Sequence, residues 1–313
     1  MNILYLTESR EDYLQDQLLY GLRQLLGSQL VDYPRKTVMY GDASEDGLYG
    51  RGFTLWRLLD DIDVDRQHIE RRVADGAFDR IIFGSIRRQK TLFWQWLRRG
   101  LLTGRSRGRF LFLDGQDGHR TYAAACLFGR YYKREYGRRT LSLVQPVSFS
   151  IPARKIRLTP PEKTQTFARH VQCEEAYQLP EVQARCGRGY LFDREADYYD
   201  DLGRSRYGIT MKKGGWDCMR HYEIAANYAV PAFYRLGHKS PRCAPHGLED
   251  MVNAVAFDSA RELAQKIAHI ERENAYRELQ QNALRWVRAH TCEAAALRLL
   301  DTPSRELTRE GAV

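Results

Sequence analysis

The chain has 313 residues, is 43% hydrophobic and 28% charged, and carries a formal net charge of +9 with a pI near 9.2. It is long enough for two domains with separate cores, and its even composition excludes a disordered or fibrous chain. No run approaches the roughly 18 apolar residues that a membrane span needs, and Met1 leads into a strand pattern, so a soluble cytoplasmic protein is expected. The six cysteines, at 126, 173, 186, 218, 243 and 292, show no Cys-x-x-Cys and no zinc spacing. Free thiols and no structural metal are therefore expected. The positive balance calls for anionic partners: nucleotide sugars, phospholipid headgroups or nucleic acid.

In chain order, residues 2–6 (NILYL) read as a strand, followed by the polar turn Thr7-Glu8-Ser9-Arg10. A helix then carries Tyr13, Leu14, Leu18, Leu22, Leu25 and Leu26 at helical spacing. Strand, polar turn and amphipathic helix open a parallel α/β sheet, and the turn lies at the carboxyl edge where such sheets bind ligands. Glu8 and Arg10 are thus either cleft residues or parts of a capping turn. Residues 29–33 read as a second strand, and 41–53 as a long glycine-rich loop of the kind that often covers a ligand. Asp61 and Asp63 have the Asp-x-Asp spacing of a metal–diphosphate site, but they lead directly into a helix read at 66–74, so capping and solvent exposure account for them.

Residues 79–85 (DRIIFGS) and 110–113 (FLFL) are buried strands. Between them, residues 86–109 hold seven arginines, one lysine and no acid, with Leu92, Phe93, Trp96 and Leu97 as an apolar stripe. This basic amphipathic segment is either a core-facing helix with a solvated face, a peripheral membrane contact or a nucleic-acid track. Asp114, Asp117 and His119 follow the FLFL strand in a turn at the sheet's carboxyl edge. Residues 130–136 (RYYKREY) read as a helix or turn bearing Lys133 and Arg134, and residues 145–156, with Pro146 and Pro152, as the interdomain linker. Residues 163–171 open a second set of strands.

The most informative stretch is 203–236. It alternates as a strand through Tyr207, Ile209 and Met211, breaks at Gly214-Gly215, and restarts as a helix with Asp217 as the expected N-cap, running towards a further strand at Pro231. Bare glycine amides beside a helix N-terminus suit a phosphate, and Lys212 and Lys213 add positive charge. Cys218, Tyr222, Ala225 and Ala226 share the side expected to face the core; Arg220, Glu223 and Asn227 share another, as an exposed ion pair or a ligand site.

Residues 215–223 (GWDCMRHYE), with the Ala-Val-Pro at 229–231, resemble the donor segment of GT-B glycosyltransferases, particularly their exostosin-like and bacterial branch. The chain departs from the common pattern at Asn227-Tyr228-Ala229, where many relatives have a glycine-containing turn. The resemblance implies two Rossmann-like domains facing across a cleft, tied by a C-terminal crossing helix: residues 1–150 on the acceptor side, 151–284 on the donor side, and 285–313 packing back on the first domain and ending in a frayed tail. It further implies transfer from a nucleotide diphosphate sugar, a UDP-sugar first, with no metal required and no cofactor. Gly214 and Gly215 fall at the diphosphate, Arg220 at the phosphates and Glu223 at the ribose diol, with Lys212 and Tyr222 completing the donor-side candidates. Residues 130–136 resemble the segment that closes the first domain, which puts Lys133 and Arg134, with Arg10, on the acceptor or phosphate side.

Such a reaction needs a general base for the acceptor hydroxyl, for which Asp117, Asp114, His119 and Glu8 are the candidates. The expected acceptor is a bacterial surface glycan, a glycoprotein or a lipid-linked glycan, with the protein either free in the cytoplasm or peripheral to the inner face of the membrane. Two alternatives stay open: a phage-type enzyme glycosylating modified DNA bases, and a non-catalytic nucleic-acid-binding α/β protein. An NAD enzyme is disfavoured because no Gly-x-Gly-x-x-Gly follows the first strand.

Overall fold

The computed structural model describes residues 1–44, 53–104, 108–137, 140–189 and 191–301. Most of the expected glycine-rich loop (45–52), part of the basic segment (105–107) and the tail (302–313) lie outside these residues.

Two parallel sheets form the frame. The first is ordered β2-β1-β3-β4-β5-β6, from β1 (Ile3–Leu6), β2 (Leu30–Tyr33), β3 (Arg80–Phe83), β4 (Phe110–Asp114), β5 (Arg130–Lys133) and β6 (Gln145–Pro146). The second is ordered β10-β9-β8-β7, from β7 (Gln165–Phe167), β8 (Ser205–Met211), β9 (Val230–Tyr234) and β10 (Val255–Phe257). Helices cover both faces of the first sheet, which is why β3 and β4 read as nearly unbroken apolar runs. Its strand order reverses between β1 and β3, the crevice where doubly wound sheets place ligands.

Helix α1 (Tyr13–Leu26) starts where Asp12 accepts a hydrogen bond from the Gln15 amide, 3.2 Å, and ends at Gly27, whose φ of 54° suits glycine. Further helices are α2 (Ile69–Ala74), α3 (Lys90–Arg98), α4 (Ala123–Cys126), α5 (Pro180–Arg185), α6 (Glu195–Arg204) and α7 (Met219–Ala226). The last part of the chain is three helices, α8 (Ala260–Arg272), α9 (Tyr276–Ala289) and α10 (Cys292–Asp301), broken at Asn274, which takes φ 55°, and at His290–Thr291. Helix α10 returns to the first sheet's helix layer, where the Gly21 Cα of α1 lies so close to the Cys292 carbonyl that a Cβ would collide with it. One apolar core runs through this junction, from Leu14, Leu18 and Leu22 to Tyr222, Trp286, Val287 and Ala296. It is the physical tie between the two sheets.

Several sequence expectations are corrected. Residues 130–133 are a central strand: the Lys133 ammonium is buried beside Asp114, 3.2 Å, so its charge does not bar the segment from the sheet. Residues 250–254 form a turn closed by a bridge between Asp250 and Ala254, and β10 starts directly after it at Val255. Helix α2 begins at Ile69, three residues later than read. Cys218, not Asp217, is the N-cap of α7; Asp217 is buried, accepting from the Phe149 amide (2.6 Å) and the Tyr222 hydroxyl (2.9 Å). Burial pushes its carboxyl up to about 6 against the pull of Arg134. The departure at Tyr228 has a backbone consequence: Tyr228 takes φ 62°, a conformation free for glycine and strained for tyrosine. Its ring is buried and its hydroxyl donates to the Leu158 carbonyl, 3.1 Å, which offsets the strain.

Candidate active site in the interdomain cleft

The loops at the carboxyl ends of β1, β4, β5 and β8 converge between the sheets. Arg10, Asp12, Gln116, Asp117, Lys213 and Gly214 are among the residues that line a cavity of about 690 Å³ there. It adjoins a narrower cavity of about 130 Å³, lined by Phe53, His170, Phe192, Tyr198, Arg220 and Glu223, with Tyr13, Lys213, Cys218 and Met219 shared by both.

The narrow cavity is built by α6 and the first turns of α7. Glu223 accepts from the Thr54 hydroxyl at 2.6 Å and the Tyr198 hydroxyl at 2.9 Å, one on each carboxylate oxygen. Two hydroxyls on one carboxylate is the bonding that a vicinal diol would supply. Burial raises the Glu223 carboxyl above its ordinary range, opposed by Thr54, Tyr198 and Arg220. Thr54 reaches it from the first half of the chain with φ 75°, a strained setting for a β-branched residue, of the sort that clusters at functional sites. Arg220 lines the same cavity, and its Nε is buried without a hydrogen-bond partner among the described residues. A buried guanidinium N–H left open is costly unless a ligand acceptor completes it. His170 is pushed down to about 4, by burial and then by Arg220, so it is neutral near pH 7.

In the wide cavity the glycine loop presses on the first sheet's edge. A Cβ on Gly214 would collide with the Asp117 carboxylate, and one on Gly215 with Glu135 and Arg134. Arg134 is buried and fully engaged: it pairs with Asp117 and, at 2.9 Å, with Glu135, and it donates to the carbonyls of Gly115 (3.1 Å) and Asp217 (2.5 Å). Glu135 also accepts from the Asp217 amide, 3.1 Å. This seam makes a prediction: Gly215→Ala, forced against two buried charged side chains, is expected to lose about 1–3 kcal/mol of stability. Gly214→Ala, which meets only the exposed end of Asp117, is expected to leave stability within ~0.5 kcal/mol. Thermal denaturation of both variants checks the contrast.

The structure therefore gathers Arg10, Asp117, Gly214, Gly215, Arg220 and Glu223 around one cleft. Six other sequence candidates lie elsewhere. Asp114 and Lys133 are fully buried against each other, with Tyr131 donating to Asp114 at 2.6 Å, so their charges are spent inside the sheet. Tyr222 is in the core, stacked on Trp286 at 5.0 Å. Glu8 lines neither cavity; its backbone bonds Gln15 and Lys36. Lys212 is exposed, 5.3 Å over the Trp216 ring, and His119 lines a separate cavity.

Sequence reasoning missed Thr54, Tyr198, His170 and Asp12. Asp12 caps α1, accepts from Ser85 at 2.8 Å across the β1–β3 crevice and lines the wide cavity. Cys218 was read as a core residue; it lines both cavities, and although burial raises its thiol, His221 at 3.9 Å outweighs that and brings it to about 7.

No protein-family model and no curated protein sequence matches the chain. Solved structures match it in fold. HepE from Anabaena, in complex with UDP and glucose, aligns with a TM-score of 0.56 at 10% identity, covering 96% of this chain and 99% of that one. The same protein in complex with UDP-glucose gives 0.51 at 12% identity with the same coverage. A glycosyltransferase from Rickettsia africae gives 0.59 at 9% identity, covering 96% and 97%. At such identities the likeness is one of fold, and the fold is the two-domain α/β arrangement of GT-B proteins.

Proposed function

We propose that this chain is a glycosyltransferase that moves a sugar from a nucleoside diphosphate sugar to an acceptor hydroxyl. The observation that carries the reading is the narrow cavity, where an unpartnered buried Arg220 N–H and a carboxylate already holding two hydroxyls stand on one helix, open to a wider cavity with Asp117 and a glycine loop. Residues 1–150 serve as the acceptor side, 151–284 as the donor side, and 285–313 as the tie. The ribose diol replaces the hydroxyls of Thr54 and Tyr198 on Glu223, Arg220 takes the phosphates, and the loop before α7 faces the diphosphate. Asp117, exposed on the wall of the wide cavity, is the general base: the acceptor oxygen–C1 bond forms, the C1–oxygen bond to the diphosphate breaks, and the hydroxyl proton passes to Asp117. The developing charge on the leaving diphosphate is met by Arg220, Lys213 and the α7 N-terminus, so no metal is required.

A uridine nucleotide is the first donor, which the UDP and UDP-glucose complexes of HepE support. The acceptor is a glycan, a glycoprotein or a lipid-linked glycan. A cytoplasmic location suits the six free thiols, and among the described residues no helix is long and apolar enough to cross a membrane. The nucleic-acid readings have no specific support: Arg88 stands 3.8 Å from Asp12, Arg99 pairs with Glu70, and Arg109 donates to the Phe78 carbonyl.

A thermal-shift panel of UDP, GDP, CDP, dTDP and ADP, with and without EDTA, tests the reading. UDP at 100 times its dissociation constant is expected to stabilise the protein by about 2.7 kcal/mol, with or without chelator. If no nucleotide shifts the melting temperature, the reading fails; if EDTA abolishes the shift, metal independence does.

A further inference from the structure

The cavity that holds His119 has no part in the reaction above. Its wall comes from both halves of the chain: Arg87 follows β3, His119 and Arg120 follow β4, Tyr136 follows β5, Trp216 precedes α7 and His238 follows β9. At about 710 Å³ it is as large as the wide cavity, and the two meet at Gln116, next to Asp117. Among the described residues no aspartate or glutamate lines it, whereas two arginines and two histidines do.

Among the described residues, neither Arg87 nor Arg120 has a carboxylate partner, in contrast to the neighbouring Arg88 and Arg134. His238 stands 3.3 Å from Asp258, which is outside the lining. Guanidinium groups left without counter-charges in a concave wall attract an anion, and their planar forks match phosphate oxygens. Beside them, the half-buried indole of Trp216 offers a flat apolar surface with a polar edge, which suits the face of a sugar ring.

We infer that this cavity is the acceptor subsite and that it takes an acceptor carrying a phosphate ester or diphosphate. The anion sits at Arg87 and Arg120, the sugar lies against Trp216, and the reacting hydroxyl passes Gln116 to reach Asp117. The inference rests on the glycosyl-transfer reading for the word acceptor; the anion site itself rests on the cavity's own residues. One ligand chemistry here has two sources, a soluble sugar phosphate or a lipid-linked saccharide diphosphate.

The test is calorimetric titration of the full chain in saturating UDP with three probes: glucose 1-phosphate, geranylgeranyl diphosphate in neutral detergent micelles, and glucose. The wild type is expected to bind at least one phosphorylated probe and to bind glucose far more weakly. Arg87→Ala with Arg120→Ala is expected to weaken the phosphorylated probe about tenfold or more without changing UDP affinity, and the double lysine variant to recover most of the loss. Melting temperatures confirm that the variants are folded. Binding of the soluble probe alone marks a sugar-phosphate acceptor; binding of the micellar probe alone marks a lipid-linked one. If neither phosphorylated probe binds the wild type, or the double alanine variant binds as well as the wild type, the inference is overturned. Titrations without probe report UDP separately: loss of UDP binding with arginine-dependent probe binding intact sinks the donor reading and leaves the anion site standing.

Discussion

Glu223→Ala is expected to weaken the binding of a UDP-sugar by about 10- to 100-fold, the loss of two hydrogen bonds to a buried charged acceptor at roughly 1.5–3 kcal/mol. The carboxylate stands at the back of the narrow cavity with a hydroxyl on each oxygen, so its removal takes away both contacts at once. Unchanged donor affinity by calorimetry would show that the ribose lies elsewhere. The same residue sets a pH dependence. Burial raises its carboxyl, and a protonated carboxyl gives up acceptor capacity, so donor affinity is expected to fall on acidification while the pH is still above the ordinary carboxylate range. Glu223→Gln should flatten that profile.

Stability moves in the opposite direction. A carboxyl whose folded-state pKa lies above its unfolded value binds its proton more tightly in the fold. Its favourable contribution is complete below the unfolded value and is lost as pH rises through the folded one. Glu223→Gln is therefore expected to melt at a higher temperature than the wild type near pH 7 while binding donor less well. A lower melting temperature would mean that Thr54 and Tyr198 stabilise the charged form more than burial opposes it.

Asp117→Asn is expected to reduce kcat by about 10²–10⁴-fold, the usual worth of a positioned general base, with donor affinity unchanged. The amide keeps the size of the side chain and can still accept from Arg134, so the seam persists; what is lost is a group able to take the acceptor's proton. Separate measurement of UDP-sugar affinity and steady-state turnover distinguishes this from a collapsed loop, which would weaken both. Full turnover in the variant would move the base to another carboxylate on the wall of the wide cavity, Asp12 first.

The sequence by itself determined the alternating strand–helix plan and the place of its most telling segment. Buried parallel strands such as FLFL in β4 are apolar on both faces, and a glycine pair between a strand and a helix is a local signal that needs no tertiary partner. Arg220 and Glu223 could be paired from spacing alone because a helix fixes which side chains share a face.

What spacing could not show is what each face meets. Asp114 and Lys133 look like cleft charges in sequence, and only strand pairing reveals that each neutralises the other inside the sheet. Arg134 looks like a free cation, until the second half of the chain delivers the Asp217 carbonyl to it. Thr54 and Tyr198 lie 169 and 25 residues from Glu223 in sequence, and no local pattern connects them to it. The cleft is made of loops at the carboxyl ends of strands from two sheets. Side chains that converge there come from distant parts of the chain, so their meeting is a property of the packed fold, where burial, pairing and open hydrogen-bonding capacity are decided together.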